Sequence, residues 1–191
     1  MLTFEIGFYS PLRIGTGRPG HGTDEVIDPA EPVRADSVKG ALRAEARLLL
    51  PGRDGLDHPF VDEVFGGRID SPWNFDAITD ATPVNARAMI RLDDRKRTVD
   101  GSLHVKEESF PRRATVTVVQ RRRITGDALP PDVRGEAQEY HLALLHLAAR
   151  LCEKLGQRRT RGLGWVSLAS GRDPGKDLDL IWTLRDREEE R

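Results

Sequence analysis

Cysteine is almost missing from this 191-residue chain, and the single Cys152 excludes both an internal disulfide framework and a zinc site built on a cysteine cluster. Aromatic residues are sparse at 6%, and no apolar run approaches the roughly 20 residues of a bilayer-spanning helix, which excludes a membrane protein. Neither sign of charge prevails: 30 Lys and Arg stand against 31 Asp and Glu, so whole-chain electrostatics announce no polyanionic partner. The start, Met1-Leu2-Thr3-Phe4-Glu5-Ile6, lacks the basic region, apolar stretch and cleavage site of a secretory signal, and the expected location is the cytoplasm. The length suits one domain, residues 1–191, with a core of its own.

What is present is unevenly distributed. Between Arg87 and Arg123 eleven Lys or Arg residues face five acids, whereas residues 173–191 hold seven acids against four bases. A basic middle and an acidic tail suit a protein with one polyanion-facing surface, because clustered cations gain affinity by releasing phosphate counterions. Leu2, Phe4, Ile6 and Phe8 alternate with Thr3, Glu5, Gly7 and Tyr9, the period of a half-buried strand. Residues 11–36 are dense in Gly and Pro and read as a long functional loop. Asp36 or Ser37 then caps a helix whose face is Val38, Ala41, Leu42, Ala46 and Leu49, ending before Pro51.

Residues 52–86 read as an irregular surface insertion with short helical turns. Residues 88–92 and 114–119 read as strands joined by a basic stretch, an extended hairpin over about 91–115. Helical spacing from Val133 through Ala137, Tyr140, Leu144, Leu147, Leu151 and Leu155 predicts a long helix with Gly156 just past its end. Trp165 to Leu168 and Leu178 to Leu184 are read as the closing strands. The order β-α-β-β-α-β is that of a ferredoxin-like α+β palm, a fold that many RNA-binding domains share with many other proteins.

The chemistry concentrates in Gln157-Arg158-Arg159-Thr160-Arg161-Gly162-Leu163-Gly164, where forked arginine donors on a glycine turn suit phosphate contact. With Trp165 this stretch resembles the glycine-rich motif, usually R-S-R-G-L-G, of the RAMP superfamily of CRISPR-associated proteins. Ala35-Asp36-Ser37-Val38-Lys39-Gly40-Ala41-Leu42-Arg43 resembles the P-G-S-S-L-K-G-A-L-R opening of helix one in backbone subunits of type III effector complexes. Arg91-Leu92-Asp93 and residues 101–111 resemble their thumb segment, and Val64-Phe65-Gly66-Gly67 fits their F-G stretch. These matches come in family order across residues 35–168.

The resemblance implies an RRM-like palm with a β-hairpin thumb. It implies a subunit that binds CRISPR guide RNA and target RNA, contacts other effector-complex subunits and stacks into a filament along the guide. It places Lys39 and Arg43, on one helical face, near the guide backbone, together with Arg158, Arg159, Arg161, Gly162 and Gly164 of the turn. Arg121 and Arg122 belong either to the foot of the thumb against RNA or to a solvated strand end. The family places an aspartate for metal-dependent cleavage of target RNA in the loop before helix one. Asp24, within Asp24-Glu25-Val26-Ile27-Asp28-Pro29, is the expected residue and Asp28 its rival, with Mg²⁺ as the expected cofactor.

Two other readings stay open. His21, between Gly20 and Gly22, suits a metal-independent guide-processing endoribonuclease. A subunit that holds guide and neighbours without chemistry of its own is the third. His141 and His146, five apart in a helix, point too far from each other to share a metal. His104 sits in the thumb, where a structural or RNA-facing role is expected, and His58 has no evident partner. Gly15-Thr16-Gly17-Arg18-Pro19-Gly20 spells G-x-G-x-x-G, yet Pro19 denies it the helix start of a dinucleotide site.

Overall fold

The computed structural model describes residues 1–20, 22–80, 82–157 and 161–189. Strand β1, Leu2–Phe8, buries Leu2, Phe4 and Ile6 on one face, as its alternation demands. Helix α1, Ala35–Leu49, follows the long loop and buries Val38, Leu42 and Ala46. Its N-cap is Arg34, without a side-chain cap bond, and not Asp36 or Ser37; both of these lie inside the first turn, where Asp36 complements the helix dipole.

The segment 52–86 holds more order than expected. Pro59 starts the short helix α2, Pro59–Phe65, whose first turn is capped by His58 Nδ1 accepting from Phe60 N–H at 3.1 Å. Strand β2, Trp73–Thr79, then buries Trp73 and Phe75 on alternate positions. Strand β3, Val84–Met89, pairs with β4, His104–Ser109, in a two-stranded thumb. The hairpin expected between residues 88–92 and 114–119 therefore does not form. β5, Ala114–Gln120, lies instead between β1 and β2, because Ala114, Val116 and Val118 complete the apolar face of the palm.

After β5, a 3₁₀ turn at Pro131–Glu136 leads into α3, Ala137–Leu151, which ends four residues before the expected Leu155. Cys152 is buried at its C-terminal boundary. β6, Val166–Ala169, closes the sheet in the order β2-β5-β1-β6, antiparallel throughout. With α1 between β1 and β2 and α3 between β5 and β6, this order is compatible with the ferredoxin-like expectation. The core lies between the inward sheet face and α1, α2 and α3.

The expected final strand is a helix, α4, Pro174–Glu189. Asp173 Oδ1 accepts from Gly175 N–H at 2.9 Å, and Pro174 takes the first helical position. Asp177, Ile181 and Leu184 then recur at helical spacing toward α3, while Leu178 and Trp182 face outward. Alternate apolar residues at 178, 180, 182 and 184 imitated a strand, but the buried set has the period of a helix. Asp177, Asp179 and Asp186 of this region sit on the helix. Among the described residues no helix is long and apolar enough to cross a membrane.

Candidate nucleic-acid interface

The strand positions on the outward face of the palm carry no cation. They hold Thr3, Glu5, Asn74, Asp76, Ile78, Thr115, Thr117, Val119, Ser167 and Ala169. The two charges among them are acidic, and just past β1 the exposed Tyr9 ring joins this face, its hydroxyl 3.0 Å from Ser167 Oγ. One group of cations lies on the thumb and on the turn before β6.

The thumb runs past the paired positions Met89 and His104 to a tight tip. There Asp93 Oδ1 accepts from the N–H groups of Arg95 and Arg97, both at 2.9 Å, and Lys96 adopts a left-handed φ of 60°. The Arg97 N–H, with the other donors at this tip, holds the Asp93 carboxyl below its ordinary value. Arg95, Lys96 and Arg97 stand exposed around it. Below the tip, Met89, Ile90, Arg91, Leu92 and His104 line one side of an open cleft of about 440 Å³, and Arg161 lines the other.

Arg161 is placed by the glycines that follow it. Gly162 and Gly164 have left-handed φ values of 77° and 74°. Gly164 N–H donates to Pro11 O and its carbonyl accepts from Leu155 N–H, both at 2.8 Å, in so close an approach that a Cβ would stand 1.9 Å from Leu155 O. Trp165 N–H donates to Ser10 Oγ at 2.8 Å and Tyr9 N–H to Trp165 O at 2.9 Å, so the two exposed rings of Tyr9 and Trp165 belong to the same end. Lys154 Nζ lies 4.2 Å over the Trp165 ring. His21, Arg158 and Arg159 lie outside the described residues.

The long loop is docked on the thumb. Leu12 exchanges backbone bonds with Ser109, Asp24 N–H donates to Val105 O at 2.7 Å, and Glu107 N–H donates to Glu25 O at 3.1 Å. Asp24 Oδ2 accepts from Val105 N–H at 2.8 Å, and His104 Nδ1 lies 3.5 Å from the same oxygen. Asp28 Oδ1 closes a local turn on Ala30 N–H at 2.9 Å, away from this rim.

Beneath Asp24 lies a buried polar network that sequence reasoning missed. Glu25 is bonded to Lys106 Nζ at 2.7 Å and to Gln157 Nε2, while Arg13, fully buried, donates from Nε to Glu107 O at 2.8 Å. Burial alone would raise the Glu25 carboxyl, but Lys106, Gln157 and Arg13 outweigh it and hold it below its ordinary value. The network ties loop, thumb and turn into one unit. Its one sequence signal was a charged residue bracketed by Leu12 and Ile14.

The carboxylates at this rim do not fit a resident magnesium ion. One oxygen of Asp24 is bound to backbone, its neighbour is an imidazole nitrogen, and Glu25 is paired with Lys106. Mg²⁺ asks for oxygen ligands in octahedral array, and the described residues hold no group of three His, Cys, Asp or Glu suited to a metal.

Lys39 and Arg43 share a face of α1 but not a task. Arg43 donates to Asp57 Oδ2 at 2.8 Å, Asp62 Oδ1 at 2.6 Å and Gly66 O at 2.7 Å, which pins α1 to the segment carrying α2. Lys39 Nζ sits 5.8 Å from the Phe75 ring centre, and burial, with Arg43 nearby, lowers its pKa despite Asp36 and Asp70. Arg121 and Arg122 follow β5 at the opposite end of the strand from Ala114; Arg121 N–H bonds Pro72 O, and Arg122 pairs with Asp70 at 2.8 Å.

His141 and His146 are structural, each on its own partners. Trp73 Nε1–H donates to His141 Nδ1 at 3.0 Å, which leaves the ring proton on Nε2, facing Glu63 at 3.3 Å. His146 Nδ1 meets Asp177 at 2.5 Å across the contact of α3 and α4.

A basic thumb, a glycine-rich turn and a docked loop meet around one cleft on an antiparallel α+β palm. Residues 8–167 match the model of the RAMP superfamily, and the chain belongs to that superfamily. The fold agrees: a chain of the type III-B Cmr-beta cryo-EM structure in the apo state superposes with a TM-score of 0.62 at 12% identity, covering 91% of this chain and 98% of that one. A chain of Cmr-beta bound to cognate target RNA gives 0.57 at 12% identity, covering 93% and 98%. No curated protein matches significantly in sequence.

Proposed function

We propose that this chain is an RNA-binding subunit of a type III CRISPR effector complex, holding guide RNA and its complementary target across the cleft between thumb and turn. The observation that carries the reading is the convergence of Arg91, Arg161 and the cationic thumb tip at one end of a palm whose outward strand positions carry no cation. Membership of the RAMP superfamily and likeness in fold to chains of Cmr-beta support it. Stacking of copies along the guide belongs to the same proposal.

Cleavage of target RNA at the Asp24 rim is the finer part. The reading of a guide-holding subunit without chemistry has its own support, since Asp24 Oδ2 is engaged in docking the loop on Val105.

The test is guide-RNA affinity as a function of salt for wild type and for Arg91→Ala with Arg161→Ala. Removing one phosphate-binding cation lowers the slope of log affinity against log salt by about 0.7 for single-stranded RNA. A slope lower by about 1.4 supports the cleft as the binding surface. An unchanged slope rejects it.

A further inference from the structure

Four aromatic side chains stand exposed, Tyr9, Phe110, Trp165 and Trp182, and two of them are neighbours across strands. Phe8 pairs with Val166, and the next residues continue that register, Tyr9 N–H donating to Trp165 O at 2.9 Å. Both rings therefore leave the outward side of the sheet. The Tyr9 hydroxyl is fixed on Ser167 Oγ at 3.0 Å. A Cβ on Gly7 would lie 3.0 Å from that Oγ and 3.8 Å from the Tyr9 hydroxyl, so the ring leans over backbone that glycine leaves bare. It is nonetheless 70% exposed, a held ring that the core does not use. Trp165 carries the Lys154 ammonium 4.2 Å from its ring centre and keeps 40% exposure, and Arg161, on the same turn, lines the cleft. Glu5, the next outward position of β1 beyond Gly7, bounds the pair on the sheet side with an acid. Single-stranded nucleic acid asks for this combination, cations along its phosphates and open rings for its bases. The polar neighbours Ser10, Ser167 and Lys154 suit the polar edges of a nucleobase better than the apolar side chains of a protein partner.

We infer that Tyr9 and Trp165 form a stacking platform for unpaired RNA bases beside the cleft. This rests on the reading of the cleft as an RNA site and adds to it a place for bases. Arg91 and Arg161 hold phosphates in the cleft, and the same strand lays its bases on the two rings as it passes the turn. Ser167 fixes the Tyr9 ring before RNA arrives, so less side-chain freedom is lost on binding. Lys154 puts a cation on the platform itself, for the phosphate of a stacked nucleotide. Every base has a π-face, so the platform accepts all four and reads no sequence.

The experiment titrates the full chain with a labelled single-stranded RNA, and with the same RNA carrying 2-aminopurine or an abasic nucleotide at each position in turn. Wild type is compared with Tyr9→Phe, Tyr9→Leu and Trp165→Leu, the thermal midpoint of each being measured alongside. The expected result is that 2-aminopurine fluorescence falls on binding at one position or more. Tyr9→Leu and Trp165→Leu each weaken binding by about 5–150-fold and leave the slope of log affinity against log salt unchanged. Tyr9→Phe keeps the ring and loses far less than Tyr9→Leu. An abasic nucleotide at the quenched position removes most of the difference between wild type and Tyr9→Leu, because the base that stacked is gone. Leucine variants that bind RNA as wild type does, or a loss in Tyr9→Phe equal to that in Tyr9→Leu, overturn the platform while the cleft reading stands. Leucine variants that keep RNA affinity but no longer co-purify with other effector subunits make this face a protein interface and overturn it too. Failure of the wild-type chain to bind any single-stranded RNA overturns the reading of the cleft itself.

Discussion

Replacing Gly164 by alanine tests how the arginine turn is held. The residue has φ +74°, and its Cβ would meet Leu155 O at 1.9 Å and Leu155 C at 3.1 Å, backbone atoms that cannot rotate aside. The left-handed conformation costs alanine about 1–2 kcal/mol. Relieving the overlap pulls apart two bonds, Leu155 N–H to Gly164 O and Gly164 N–H to Pro11 O, worth about 1 kcal/mol each. Together the loss is about 3–4 kcal/mol, which for a domain of this size lowers Tm by roughly 6–16 °C. Gly162 has φ +77° but open space around it, so Gly162→Ala bears the conformational cost alone, about 1–2 kcal/mol and a few degrees. Denaturant unfolding followed by circular dichroism, with the slope unchanged, measures both. Equal losses for the two variants would refute the close crossing with Leu155 as the constraint that fixes the turn.

Three further outcomes are expected. Arg43→Ala destabilises by about 2–3 kcal/mol in denaturant unfolding, because charge-assisted bonds to Asp57 and Asp62 go with it, and Arg43→Lys does not restore them; Lys39→Ala stays within about 0.5 kcal/mol. Burial alone would raise the Asp177 carboxyl, but the Arg172 fork and His146 hold it below its ordinary value. A depressed folded pKa gives stability that is complete above the unfolded value, about 3.9, and lost as pH falls through the folded one. Asp177→Asn therefore costs about 3–5 kcal/mol at neutral pH and flattens the acid limb of the stability curve below about pH 4. Lys106→Ala leaves Glu25 buried with its main cation gone, and hydrogen exchange at the Asp24 and Ile27 amides speeds up while that in α3 does not.

Where sequence and structure agree, the pattern was local. The alternation of β1 and the apolar face of α1 need nothing beyond their own residues to be read, and the resemblance to the family came from short stretches in family order, Arg161-Gly162-Leu163-Gly164 among them. Where they part, a second pattern competed or the partner was distant. Leu178 to Leu184 alternates like a strand, and Asp173 with Pro174 decided for helix. β2 was concealed in a Gly- and Pro-rich stretch, although Trp73-Asn74-Phe75-Asp76 alternates. The thumb took its neighbours from register: β5 pairs with β1 and β2, contacts that span most of the chain and leave no local mark. The loop carboxylate was legible as a residue, but not its docking on Val105 or its neighbour His104, 80 residues away in sequence.

Whether RNA lies in the cleft between thumb and turn, and not on the palm sheet, decides the functional reading. Photo-crosslinking the assembled complex with guide RNA carrying 4-thiouridine, followed by mass spectrometry of the adducts, tests it most directly. Adducts on residues 89–92, His104 or 161–165 are the predicted result, with none on Thr3, Glu5, Asn74 or Asp76. Adducts on those sheet residues, with the cleft untouched, would contradict it.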